Sequence, residues 1–303
     1  WYSSAYYDGN DFANVLVKSR EGRPIWLKGK RDGFTQGGLI PRVSTSILNL
    51  YNSSRLNGPS IEKKAESWSN VDQEILKKLN NLSAKNGKVR IISNTVISPS
   101  TKSVIQDFTA KFSPSDDSVS GCDIKHIEYD PQSYYGIRKA NENIFGKSFI
   151  PSYDFSKAKT IISINADFIC NWLLPSKFST DFSKARKPEN GWMSKHFQFE
   201  SVLSLTGANS DVRVKIKPSE EVLVAASILS LLNNEKPGFG LNDETSDKIQ
   251  SAVKNDRKAV WFWIQDPMNQ FFINNKNIPD YSQHCVWFDA MCKKENIIIG
   301  LKD

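Results

Sequence analysis

The chain has 303 residues and a net charge of +7, from 40 Lys and Arg against 33 Asp and Glu. A hydrophobic fraction of 39%, with 17 Phe, 8 Trp and 9 Tyr, excludes a disordered polymer. No run approaches the ~18 apolar residues of a membrane span. The basic residues are interspersed with acidic ones, which argues against nucleic-acid binding and leaves an acidic protein partner open.

At roughly 150 residues per domain the length suggests two domains or one large α/β unit. The chain opens at Trp1 without an initiator Met, a charged n-region or an apolar h-region, so a mature or partial chain is expected.

In chain order, Asn14 to Gly29 ("NVLVKSREGRPIWLKG") reads as a hairpin with a Glu21-Gly22 turn and a second strand after Pro24. The glycine-rich "RDGFTQGGLIPR" is irregular, and "STSILNLY" is a short helix ending before the Gly58-Pro59 break. Asn70 to Leu82 places Val71, Ile75, Leu79 and Leu82 at helical spacing, predicting one apolar face. "KVRIIS" (Lys88 to Ser93) reads as a buried-type strand. Ser98 and Pro99 then open a helix with Val104, Ile105, Phe108 and Phe112 inward.

"DIKHIEY" is a strand, Ser133 to Phe145 a helix stopped by Gly146, "TIISI" (Thr160 to Ile164) a strand, and the segment after Pro175 a helix. Such alternation predicts an α/β fold with a doubly wound, mainly parallel sheet. Apolar and basic residues alternate from Val212 to Lys217, predicting a half-buried strand. Ser219 with Glu220 and Glu221 then predicts a helix start with carboxylates on the positive end of the dipole. "AVWFWIQ", "HCVWFDAMCKK" and "NIIIGL" repeat strand, helix and strand. The expected domains are a small β-rich part at 1–60, a doubly wound nucleotide-binding-like domain at 61–232, and part of a second, incomplete α/β domain at 233–303.

Cys122, Cys170, Cys285 and Cys292 form no C-x-x-C and no zinc-like spacing, even with His284 beside Cys285. His126 and His196 stand apart from other ligand types and read as core or surface residues. Phosphate-loop, nucleophile-elbow, zinc-helix and dinucleotide-fingerprint motifs are all missing. Polar residues at strand ends are the remaining candidates: Asn94 after "RIIS", Asn165-Ala166-Asp167 after "TIIS", and Asp266 after "WFWIQ". They suit a nucleotide crevice but also terminate strands for local reasons, which is the favoured reading. Glu128 and Glu200 have no partner visible in sequence, so no acid–base pair is named.

Three ordered segments carry a resemblance. "GGLIPRVSTSILNLYNSSRLNGP", "DFSKAKTIISINADFICNWL" and "GANSDVRVKIKPSEEVLVAA" resemble segments of the molybdopterin oxidoreductases. "YYDGNDFANVLVKSREGRPIWLKG", "ISPSTKSVIQDF", "FGKSFIPSYDFSKA" and "MSKHFQFESVLSLTGANSD" are similar to the molybdopterin-oxidoreductase-like half of the B subunit of bacterial alternative complex III, collinear from about Tyr6 to Leu232. The resemblance implies a molybdopterin-oxidoreductase-like α/β fold and a cofactor-free scaffold in a quinol-oxidising respiratory complex. Partners would be cytochrome c-bearing and integral membrane subunits, holding the chain on the periplasmic face of the bacterial inner membrane. Iron–sulfur clusters would sit in a separate C-terminal half.

No cysteine precedes Trp68, whereas an N-terminal cluster needs thiolates. Near the usual metal-ligand position "DPQSYYG" offers only Ser133. The expectation is therefore no molybdopterin, metal or cluster within these residues, and a vestigial crevice near Asn94, Asn165, Asp167, Asn209 and Asp211. Two other readings stay open: a catalytic molybdenum–pterin oxidoreductase, and a small-ligand domain reusing the crevice.

Overall fold

The computed structural model describes residues 1–114, 121–150, 152–232, 234–237, 240–255 and 260–264. The chain packs as two compact units, one formed by Trp1–Ser44 with Gln132–Asp303, the other by Thr45–Pro131.

The first unit begins with an antiparallel sheet in the order β1 (Tyr2–Tyr7), β2 (Phe12–Arg20), β3 (Arg23–Gly29). Glu21 and Gly22 join β2 to β3 with φ of 52° and 77°, the double left-handed turn whose twist suits a two-residue hairpin. The expected hairpin is present and gains β1 as a third strand. Ala13 and Val15 of β2 point to a small core with Ile40 and Val43, the latter on helix α1 (Pro41–Thr45). Residues Ser46–Tyr51, already in the second unit, form a 3-10 turn, so "STSILNLY" is helical as read.

The second unit holds the minimal pair β4 (Ser60–Ile61) and β5 (Lys64–Ala65), helix α2 (Trp68–Ala84), β6 (Lys88–Ser93), α3 (Pro99–Phe112) and β7 (Asp123–Glu128). Ser98 caps α3 as expected, its side chain accepting the Thr101 N–H, and Pro99 stands in the first turn. β6 and β7 pair in parallel as a sheet of two. This corrects the reading that "KVRIIS", "DIKHIEY" and "TIISI" share one sheet. It also corrects the buried-type reading of β6, which alternates, with Ile92 72% exposed. A two-stranded sheet lacks the neighbours that would enclose both faces. For the same reason the expected inward faces are only partly so: Leu79 is buried, whereas Ile75, Leu82 and Val104 are exposed.

The rest of the first unit runs α4 (Tyr135–Phe145), β8 (Thr160–Ile164), α5 (Pro175–Lys184), β9 (Lys195–Glu200), α6 (Leu205–Ala208), β10 (Val212–Lys215), α7 (Glu221–Leu232), α8 (Asp243–Asn255) and β11 (Val260–Ile264). Gly146 ends α4 at φ 70°, its N–H returning to the Glu142 carbonyl. The four strands form an all-parallel sheet in the order β10-β9-β8-β11. All five residues of β8 are buried because helices cover both faces. On one face Ile162, Ile164, Phe197, Phe199 and Val214 pack against Val224 and Ile228 of α7 and Ile249 and Val253 of α8. On the other Ile161 meets Phe168, Trp172, and Phe178 and Phe182 of α5. The sandwich is thus doubly wound, and residues on both sides of 232 share its sheet.

The helix after β10 opens at Pro218 and Ser219 as read: Pro218–Glu220 is a 3-10 turn leading into α7, and the Glu220 carboxylate reaches back to the Lys217 N–H at 2.8 Å. Val260–Ile264 within "AVWFWIQ" is a strand as read; "HCVWFDAMCKK", "NIIIGL", His284, Cys285, Cys292 and Asp266 lie outside the described residues.

Candidate functional site at the carboxyl edge of the parallel sheet

Winding from β8 proceeds outward through β9 to β10, then returns to place β11 on β8's other side. The switch point therefore lies beyond the carboxyl end of β8, where an open parallel sheet places its ligands. Asn165 stands there at φ 52°, a left-handed conformation that Asn tolerates better than most residues. Its N–H extends the ladder to the Phe199 carbonyl at 2.7 Å.

Two loops meet at this edge. Asp167 Oδ1 accepts the Thr206 N–H at 3.1 Å and the Thr206 hydroxyl at 2.7 Å, while Thr206 Oγ1 accepts the Ile169 N–H at 3.0 Å. Beside them Glu200, fully buried at the end of β9, is held from several sides. Its carboxylate accepts Ser204 N–H at 3.2 Å, Ser204 Oγ–H at 2.6 Å, Gln198 Nε2–H at 3.1 Å and Arg213 Nε–H at 2.5 Å. Ser204 Oγ in turn caps α6 by accepting the Gly207 N–H at 2.9 Å.

A row of polar side chains runs down the same face of β9. Alternation puts Phe197 and Phe199 on one face and His196, Gln198 and Glu200 on the other. Because a carboxylate only accepts, Gln198 turns its amide NH₂ to Glu200 and its Oε1 to His196, 3.2 Å from Nε2. His196 must then carry its proton on Nε2. The ring sits near Phe168 and Phe182, and its buried Nδ1 has no partner among the described residues. Burial lowers its pKa to about 4, so the imidazole is neutral.

Glu221, 1% exposed at the start of α7, completes the edge. Neither carboxylate oxygen makes a hydrogen bond of ordinary geometry among the described residues. Burial pushes its pKa up to about 7, the Asn165 side chain opposing the shift.

The sequence candidates are dispersed. Asn165 and Asp167 lie at the carboxyl edge. Asn209 caps the end of α6, donating to the Leu205 carbonyl at 2.8 Å. Asp211 precedes β10 at the opposite, amino edge, where it pairs with both Arg186 amino groups at 2.7 and 2.8 Å and accepts the His196 N–H at 2.7 Å. Those partners hold its carboxyl below the usual range against the opposing effect of burial. Asn94 belongs to the other compact unit, its carbonyl accepting the Ser93 hydroxyl at 2.7 Å.

Several other polar residues have structural partners: Ser133 accepts the Tyr135 N–H at 3.1 Å, His126 meets Ser93 at 2.8 Å, and Glu128 accepts the Val96 N–H at 2.9 Å. Thr206 escapes the sequence reading, Glu200 enters it only as an acid–base candidate without a visible partner and Glu221 only as a helix-start carboxylate, although the alternating "HFQFE" carries a period-2 signal for a strand with one polar face.

A pterin dinucleotide fits this edge poorly. Its phosphates need backbone N–H groups on glycine loops. Here the Gly207 N–H is taken by Ser204, and a Cβ on Gly207 would overlap Glu200 Oε1. Asp167, Glu200 and Glu221 line the same edge, with Arg213 bound to one of them. Among the described residues no three His, Cys, Asp or Glu side chains group as a metal site. Cys122 and Cys170 are free thiols, and burial, with Asp167 nearby, raises the Cys170 pKa. No described helix is long and apolar enough to cross a membrane.

No protein-family profile matches the chain, and no curated protein matches it. Among solved structures it is similar to acetylene hydratase from Pelobacter acetylenicus, at 14% identity and a TM-score of 0.49. The match covers 79% of this chain and 34% of that one, so this chain spans about a third of that protein.

Proposed function

We propose that the chain is a cofactor-free, molybdopterin-oxidoreductase-like scaffold. It would form part of an iron–sulfur subunit in a quinol-oxidising respiratory complex of the alternative complex III type. The observation that carries this reading is the filled carboxyl edge: Asp167 spends its acceptors on Thr206, Glu200 on Ser204, Gln198 and Arg213, and Gly207 its donor on Ser204. The donors that could meet a phosphate, on Thr206, Ser204, Arg213 and Gly207, instead lock two loops together, and the carboxylates they bind would repel one. The collinear resemblance from Tyr6 to Leu232 and the lack of any cysteine before Trp68 point the same way. The chain would be held by cytochrome-bearing and membrane-anchored partners on the periplasmic face of the inner membrane, and its role would be packing rather than catalysis.

The test is elemental analysis of the purified native assembly together with the masses of its co-purifying subunits. Expected are iron and haem with membrane subunits, and no molybdenum. Stoichiometric molybdenum, or isolation as a lone cytosolic enzyme, overturns the reading. A second reading, a small-ligand site at the same edge, is favoured by Glu221, whose buried carboxylate has the Asn165 side chain beside it but no hydrogen bond of ordinary geometry among the described residues.

A further inference from the structure

We propose that the cavity between the loop after β3 and the C-terminal end of α5 binds a polyphosphate-type anion. Lys28, Gly29, Arg31, Gln36, Gly37 and Lys184 line an open cavity of about 440 Å³. That is enough for a small ligand, whose sites run from roughly 300 Å³ upward.

Glycines bring the cations together. The loop is tied by Gly33 N–H to the Lys30 carbonyl at 3.2 Å, Gln36 N–H to Gly33 at 2.9 Å and Gly38 N–H to Thr35 at 2.9 Å. Gln36 and Gly37 are both left-handed, at φ 51° and 89°. A Cβ on Gly29 would fall on the Gly37 carbonyl, and one on Gly38 would fall on Ser176 and Thr180 of α5. The loop therefore lies flat against α5, which places Lys28 and Arg31 across the cavity from Lys184.

The charge there is unbalanced. Among the described residues none of Lys28, Arg31 and Lys184 has an ion-pair partner within 4.0 Å, and Lys184 Nζ donates to the neutral Gln36 Oε1. The nearby carboxylates have closer partners: Asp32 faces Lys30 at 3.8 Å, and Asp181 pairs directly with Lys177 while Lys184 acts on it only from farther off. Three cations, one a planar guanidinium fork, match the spread charge of two or more linked phosphates better than a single carboxylate.

The cavity is separate from the crevice under the proposed function. Ala185, just past α5, accepts the Ser194 N–H at 2.9 Å, and Lys195 donates to Lys159 at 2.8 Å, so this end of α5 lies at the amino edge of the sheet.

The test is calorimetric titration of the chain with inorganic pyrophosphate at about 0.15 M salt. Parallel arms use acetate, neutral vesicles and vesicles carrying a bisphosphate headgroup. Expected is one-to-one pyrophosphate binding that weakens with salt, about tenfold or more weaker for Arg31→Ala and for Lys184→Ala, with Arg31→Lys intermediate. Vesicle binding displaced by pyrophosphate assigns the phosphates to a lipid headgroup; pyrophosphate binding without it assigns a soluble ligand. Arg31 is exposed, so its variants retain the fold, checked by thermal melting. No saturable pyrophosphate binding, or binding indifferent to both Ala variants, overturns the proposal.

Discussion

Asp11 Oδ2 accepts a 2.5 Å hydrogen bond from Ser176 Oγ, joining residues 165 positions apart. Asp11 Oδ1 also receives the Ser176 N–H at 3.4 Å, and Ser176 Oγ accepts the Ile40 N–H at 3.3 Å. A side chain beside β2 thus satisfies a donor in the first turn of α5, a helix opened by Pro175 with no local side-chain cap.

Removing that cap destabilises the chain. Asp11→Ala strands two buried donors and is expected to lower unfolding free energy by about 1–3 kcal/mol in urea denaturation. Burial raises the Asp11 pKa against the lowering effect of Ser176, so ionisation is disfavoured there. Asp11→Asn keeps an acceptor without that charge and is expected to be milder. Equal losses for the two would show that the acceptor is not what matters.

His196 governs the acid limb of stability. Its folded pKa of about 4 lies below the ordinary imidazole value of 6.5, so the neutral ring's contribution is present above pH 6.5 and is lost as pH falls through about 4. His196→Gln is expected to flatten denaturation midpoints between about pH 6.5 and 4 relative to the parent. A parent profile already flat there would contradict a buried neutral imidazole.

Much of this architecture is local and therefore legible. β8, β10, β11 and the Glu21-Gly22 hairpin follow from apolar runs, alternation and turn chemistry. Sheet membership is not local. A strand-helix-strand rhythm reads the same whether the next strand joins β6–β7 or starts a new sheet, and here β8 starts one. β9 is missed because Lys195, His196, Gln198 and Glu200 read as a polar segment, although five of its six residues are buried. Their partners, Ser204 and Arg213 among them, arrive through loop geometry that periodicity does not encode. The same limit scatters the crevice candidates: Asp211 follows a polar loop in sequence yet lies at the amino edge.

Gly207 tests how tightly that edge is locked. A Cβ there would overlap Glu200 Oε1 and press on its Cδ at 2.5 Å, while Ser204, Gln198 and Arg213 hold the carboxylate in place. Gly207→Ala is expected to lose about 1–3 kcal/mol of stability by equilibrium denaturation. A neutral result would mean that Glu200 has room to move and that the edge is softer than its hydrogen bonds suggest.

Glu221 makes the opposite pH prediction to His196. Its folded pKa is about 7 against an ordinary glutamate value of 4.5. The raised value means that its contribution is fully present below about pH 4.5, where the carboxyl is protonated in both states. It is lost as pH rises through about 7, because ionisation leaves a buried charge. Stability is therefore expected to fall by an amount on the order of 2–3 kcal/mol between about pH 5 and 8. Glu221→Gln retains the shape without the charge, so it should exceed the parent's stability at pH 8 and match it near pH 5. The same variant separates the two uses of the carboxyl edge. A ligand that donates to Glu221 would raise the parent's melting temperature and spare the variant, whereas a purely structural edge leaves both unchanged by added nucleotides or pterins. Parent stability that rises from pH 5 to 8, with Glu221→Gln no better at the upper end, would rule out a buried carboxyl of raised pKa at the switch point.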